Sequence, residues 1–159
     1  MRCCDEIEFS RLISFDPNLR LSLWKTPEEA RKRILYGMKQ CDIMKISEEE
    51  VAFVSEQESL EKGVSFIRDN SDKKILFVTL GNKGSIAYYK DEKIYCGGIH
   101  QEHVVDTTGA GDTFCGAVLS RILELGTDAL TEKDIREMLL FANAAASIVV
   151  TRKGALCSM

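Results

Sequence analysis

The chain is poor in the features that mark membranes, nucleic-acid surfaces or metal clusters. No apolar run approaches the ~20 residues a membrane span needs, and the opening Met-Arg-Cys-Cys-Asp-Glu does not read as a signal peptide. No membrane partner is therefore expected. Positive charge is not in excess: 21 Lys and Arg against 25 Asp and Glu leave a net charge of −4, which gives no support to a nucleic-acid partner. Histidine occurs twice, and the spacing of His100 and His103 would splay them to opposite sides of a strand, against a metal pair. The six cysteines, Cys3, Cys4, Cys41, Cys96, Cys115 and Cys157, contain no Cys-x-x-Cys. A zinc cluster is thus disfavoured, and a reduced, cytoplasmic compartment fits best. What is there is an ordinary globular composition, 45% hydrophobic and 29% charged over 159 residues, enough for one domain with a substantial core.

Apolar patterning alternates between strand and helix. Leu12 to Asp16 reads as a short buried strand, turning at Pro17-Asn18-Leu19-Arg20, where Asp16 and Asn18 suit turn chemistry. Thr26-Pro27-Glu28-Glu29 starts a helix with Ala30, Ile34, Leu35 and Met38 as its stripe, running to about Cys41. Asp42 to Ile46 is the next strand. Ser47 and Glu50 form a capping box for the helix that follows. A further helix is expected from Glu58 to Asn70, then a continuous apolar strand from Lys73 to Leu80, the kind buried on both faces of a parallel sheet. Gly81-Asn82-Lys83-Gly84 is a tight turn into a return strand, Ser85 to Tyr89, and it is no P-loop because no Gly-Lys-Ser/Thr follows. Lys93 to Cys96 and Ile99 to Val105 read as short strands. Gly126 stops one helix, and Thr131 opens the last one, with Ile135, Met138, Leu139, Ala142 and Ala146 on one face. Alternating strands and helices predict an α/β protein, a three-layer α/β/α sandwich on a mainly parallel sheet.

The chemistry is concentrated in residues 104–117, Val-Val-Asp-Thr-Thr-Gly-Ala-Gly-Asp-Thr-Phe-Cys-Gly-Ala. A strand end, a glycine-rich turn and a helix start together make an anion site, because the first helical amides lack intrahelical partners and carry the positive end of the dipole. Asp112 at the mouth of such a site suits a base working beside a phosphate. The plainer reading is an acid favouring a helix N-terminus.

This stretch resembles the second signature of the PfkB-type, ribokinase-like carbohydrate kinases. The resemblance implies that Asp112 is the catalytic base and that the Gly109, Ala110 and Gly111 amides form the anion hole, a division of labour suited to phosphoryl transfer. It extends over residues 11–158 in family order. Phe-Asp-Pro-Asn-Leu-Arg-Leu-Ser-Leu-Trp, ending at Trp24, resembles the fructokinase and 2-keto-3-deoxygluconate kinase branches. There Asp16 and Asn18 would lie near the active site, and Arg20 would contact phosphate or an acidic sugar. Ser47 and Glu50 align with the family's Asn-x-x-Glu motif, with Ser in place of Asn. That alignment would give Glu50 a role in organising Mg²⁺ through water, beside its capping role. Thr79, Gly81 and Gly84 would border the nucleotide, and Asn143 the adenine pocket. Asp106, Thr108, Gly154 and Ser158 would correspond to a monovalent-cation site suited to K⁺.

The implied activity is ATP-dependent phosphorylation of a sugar hydroxyl, most like fructokinase, with a 2-keto-3-deoxygluconate kinase as neighbouring alternative. Complete members are about twice this long. The resemblance therefore implies that residues 1–159 would correspond to the C-terminal, nucleotide-binding and catalytic-base half, without the N-terminal half and its β-lid. Partners would be the sugar and ATP, with a missing half or a second copy completing the site. The alternative from another class is a nucleotide-binding fragment without turnover.

Overall fold

A computed structural model of the chain describes residues 12–154. Five strands form one mixed sheet in sequence order: β1 (Ser14–Phe15), β2 (Ile43–Ser47), β3 (Ile75–Thr79), β4 (Gly84–Tyr89) and β5 (Glu92–Gly97). The first three run parallel and need crossovers, which α1 (Pro27–Gln40), α2 (Glu48–Ser55) and α3 (Leu60–Asp69) supply. β4 and β5 return antiparallel through tight turns. Two long helices follow the sheet, α4 (Ala110–Leu125) and α5 (Glu132–Val149).

The period of two along each strand sorts side chains into two cores. Met44, Ile46, Leu76, Val78 and Ile86 pack against α1, α2 and α3 through Ile34, Met38, Val51, Val54, Val64 and Ile67. Ile43, Ile75, Phe77, Ala87 and Ile94 face the other way, onto Phe114, Val118 and Ile122 of α4 and Ile135, Met138 and Leu139 of α5. This is the expected three-layer sandwich. Phe77 meets Phe114 edge to face with centroids 6.3 Å apart, an arrangement that aromatic quadrupoles favour. Helix starts follow the sequence signals. Thr26 accepts the Glu29 amide ahead of Pro27, and capping boxes at Ser47/Glu50 and Thr131/Asp134 open α2 and α5. Gly126 ends α4 with φ 76°.

Two expectations need correction. The segment Ile99 to Val105 is not a strand. Its centre, His100-Gln101-Glu102-His103, offers no apolar face to bury, and both histidines are exposed. Val104 and Val105 are exposed as well, and the amides of Val105 and Asp106 share the Val150 carbonyl instead of a sheet partner. The anion-site turn is thus approached by an unpaired segment tied to the end of α5. The first strand is also shorter than Leu12 to Asp16. Only Ser14 and Phe15 are in ladder register with β2. The Ile13 carbonyl still accepts the Asp42 and Ile43 amides, but its own amide turns to the Asp42 carboxylate, and Leu12 and Ile13 are exposed where a buried strand was expected.

Candidate active site

Parallel strands place their carboxyl ends at one edge of the sheet, where open α/β sheets bind ligands. Asp16 follows β1, Ser47 ends β2, and Thr79 ends β3 beside it in register. Among the expected nucleotide residues, Gly81 turns with φ 60° and nothing near its missing side chain. Gly84 is different. Its φ is 107°, and a Cβ there would lie 2.2 Å from the Cys96 carbonyl oxygen. Lys83 in the same turn pairs with Glu48 at the start of α2.

The Asp16–Arg20 loop is organised by its own polar groups. The Asn18 amide donates to Asp16 Oδ1 at 3.1 Å, an Asx turn, and Asn18 takes φ 43°. Arg20 Nη1 donates to Asn18 Oδ1 at 2.7 Å, so its fork is held over the loop while the residue stays exposed. Glu50 fixes the loop to the next element. Its Oε1 accepts the Leu19 amide at 2.6 Å and its Oε2 accepts the Ser47 amide at 2.9 Å. Glu50 is therefore both a cap and a tether between the β1 loop and α2, and it is 8% exposed.

Glycine-rich residues 109–111 lead into α4. Gly109 is the N-cap with φ 85°, and Asp112 lies exposed in the first turn. The Ala110 amide donates back to the Thr107 carbonyl at 3.2 Å, which removes one of the three amides expected in the anion hole. The amides of Gly111 and Asp112 belong to the first turn and have no intrahelical acceptor.

One residue escaped the sequence reading. Lys45, in the middle of β2, is 7% exposed, and its Nζ lies 3.2 and 3.3 Å from the two Asp16 carboxylate oxygens. A Cβ on Gly111 would come within 3.1 Å of that Nζ. Lys45 thus connects the β1 loop to the start of α4. The available signal was a lone lysine inside Ile-Met-Lys-Ile, a strand whose neighbours are buried on both faces. Burial pushes the Asp16 carboxyl above its ordinary range, the Lys45 ammonium pulls it down, and Glu50 adds repulsion. Burial also raises the Cys115 thiol; the charges of Asp16 and Asp112 add to that shift, and Lys45 opposes it. The charges of Asp16, Lys45 and Asp112 thus converge on the Cys115 thiol.

Of the expected cation-site residues, Asp106, Thr108 and Gly154 come together. Asp106 Oδ1 accepts the Thr108 amide and hydroxyl at 2.9 and 2.6 Å, and Oδ2 accepts the Gly154 amide at 3.0 Å. These bonds, the Thr108 hydroxyl first, hold the Asp106 carboxyl below its ordinary range. Ser158 lies outside the described residues. Asn143 is 8% exposed and engaged inside the protein. Its Oδ1 accepts from Ser85 Oγ at 2.9 Å, and its Nδ2 donates to the Cys96 and Gly97 carbonyls at 3.2 Å. A concavity lined by Glu61, Val64, Arg68, Tyr88 and Lys93 lies on the α3 side and contains none of these residues.

The family model for pfkB family carbohydrate kinases matches residues 2–159. The chain belongs to the pfkB family of carbohydrate kinases. It is 42% identical to fructokinase-1 of Oryza sativa subsp. japonica over 154 residues, covering 96% of this chain and 47% of that protein. Fructokinase from Vibrio cholerae O395, solved with fructose, ADP and calcium bound, superposes with a TM-score of 0.82 at 33% identity, over 92% of this chain and 47% of that one. Aminoimidazole riboside kinase from Salmonella enterica, solved with its riboside and an ATP analogue, gives a TM-score of 0.79 at 26% identity, over 92% and 48%. The pfkB fold is thereby shared, and the chain spans about half the length of these relatives. Among the described residues, no helix is long and apolar enough to cross a membrane.

Proposed function

We propose that this pfkB chain carries the phosphoryl-transfer part of an ATP-dependent sugar kinase, fructokinase-like in its acceptor, with Asp112 as general base. The observation that supports it best is the start of α4. An exposed carboxylate stands there in the same helical turn as Gly111, whose backbone lies against the buried Lys45 ammonium paired with half-buried Asp16. Asp112 takes the proton of the sugar hydroxyl as its oxygen attacks the γ-phosphorus. The bond from that phosphorus to the bridging oxygen breaks, and ADP leaves with the electron pair. The amides of Gly109 and Gly111 meet the charge that builds on the transferred group. Thr79, Gly81 and Gly84 are assigned to the nucleotide side, with Asn143 bracing that side by holding β5 to α5.

Magnesium carried by ATP supplies charge neutralisation at the phosphates. Both Glu50 oxygens already accept backbone amides, so Glu50 fits contact through a metal-bound water better than direct ligation. Among the described residues no cluster of three or more His, Cys, Asp or Glu could hold a metal ion. Asp106, Thr108 and Gly154 are proposed as part of a K⁺ site.

The test is sugar-dependent ADP release with MgATP and K⁺ over a panel that includes fructose. Asp112→Asn should lower turnover by about 10²- to 10⁴-fold with ATP affinity nearly unchanged. A folded chain that binds ATP but turns over no sugar would reduce the reading to nucleotide binding.

A further inference from the structure

Resting on that kinase reading, we infer that Lys45 is a further working residue of the site, its ammonium holding the transferred phosphoryl group together with the amides at the start of α4. Lysine is almost never buried to this degree without a charge partner, and Lys45 is 7% exposed with Asp16 as its partner. The pairing is incomplete. Both contacts go to the two oxygens of one carboxylate, at 3.2 and 3.3 Å, whereas an ammonium has three N–H donors. The remaining donor finds no acceptor among the described residues. The ammonium also stands in an electrostatically awkward place. It is 3.1 Å from where a Gly111 Cβ would be, against the positive end of a helix, where cations are disfavoured. An anion received between Lys45 and the Gly111 amide would satisfy both. Gly111 leaves room for this arrangement because any side chain there would press on Nζ. The acidic group that Lys45 meets is Asp16 on the β1 loop; Glu50 on α2 adds its charge at Asp16, and Asp112 on α4 adds its charge at Cys115. Asp16 holds the ammonium in place when no phosphate is present.

The measurement is calorimetric affinity of the full chain for MgADP with and without tetrafluoroaluminate, a stand-in for the phosphoryl group in flight. In the wild type, tetrafluoroaluminate should tighten binding. Lys45→Met should lower that gain by about 10- to 100-fold while leaving MgADP alone unchanged, and Lys45→Arg should restore part of it. Asp16→Asn should increase the gain by releasing the ammonium. The double variant Lys45→Met with Asp16→Asn guards against misfolding, since it removes the unpaired buried acid. It should recover thermal stability without recovering the gain. Recovery of the gain in the double variant would make Lys45 only a partner for Asp16 and overturn the inference. An undiminished gain in Lys45→Met, or no gain in the wild type, would overturn it too. The kinase reading is judged separately, by sugar-dependent ADP release with the Asp112→Asn control.

Discussion

Glu50 is the residue at which a structural and a catalytic role can be separated by stability alone. Its carboxylate takes the Leu19 amide at 2.6 Å, across 31 residues of sequence, and the Ser47 amide at 2.9 Å. A hydrogen bond to a charged group contributes about 1.5–3 kcal/mol, and a helix cap about 1 kcal/mol. Glu50→Ala should therefore cost about 2.5–4 kcal/mol, measured by urea denaturation without nucleotide or magnesium. At about 2–4 °C per kcal/mol for a chain of this size, the melting temperature should fall by about 10 °C. Ser47→Ala removes only the hydroxyl that receives the Glu50 amide at 3.2 Å and should cost about 1 kcal/mol. Hydrogen exchange at the Leu19 amide should accelerate strongly in Glu50→Ala and little in Ser47→Ala. If Glu50→Ala costs no more than Ser47→Ala, and Leu19 stays protected, the tether is not real. Glu50 would then act only where magnesium is bound.

Other consequences follow from single positions. Gly84→Ala should cost about 3 kcal/mol or more, from positive φ and the backbone collision at Cys96. Gly81→Ala, with open space at φ 60°, should cost only about 1 kcal/mol; equal losses in denaturant melts would contradict the difference in packing. Asp106 has its carboxyl lowered by the Thr108 hydroxyl and amide and the Gly154 amide. Its contribution is present above the ordinary carboxylate value of about 3.9 and is lost as pH falls through the lowered folded value. Melts between pH 5 and 3 should thus fall more steeply in the wild type than in Asp106→Asn, and parallel curves would remove this coupling.

The layered fold was legible because its signals are local. Period-two alternation in Ile43–Ser47 and Ile75–Thr79 fixes which side chains meet which layer, and Thr26, Ser47 and Thr131 cap helices by contacts within three residues. Val104 and Val105 misled for the same reason. β-branched residues fit a strand, yet the neighbouring polar run gives no face to bury, and the Val150 carbonyl at the end of α5 takes the amides of Val105 and Asp106.

The candidate site was legible only in part. Asp112 and Gly109 to Gly111 stand in one continuous stretch, so chain order by itself assembles a carboxylate and helix-start amides, and the order of strands and helices by itself specifies the sandwich. Asp16 and Lys45 are 29 residues apart in sequence, and Gly111 is farther still. Nothing local indicates that these three meet. The same holds for Asn143, which spans 58 residues to Ser85, and for Glu50, whose longer reach to Leu19 was hidden behind its capping box. Parallel pairing of β1 with β2 sets Asp16 beside Lys45, and packing of α4 on that face of the sheet brings Gly111 onto the ammonium. Local hydrogen bonds and burial periodicity are properties of sequence neighbours, and they were decided there. The long-range electrostatics of the site, including which charges are buried together, exists only once the sheet register and the packing of α4 have been set.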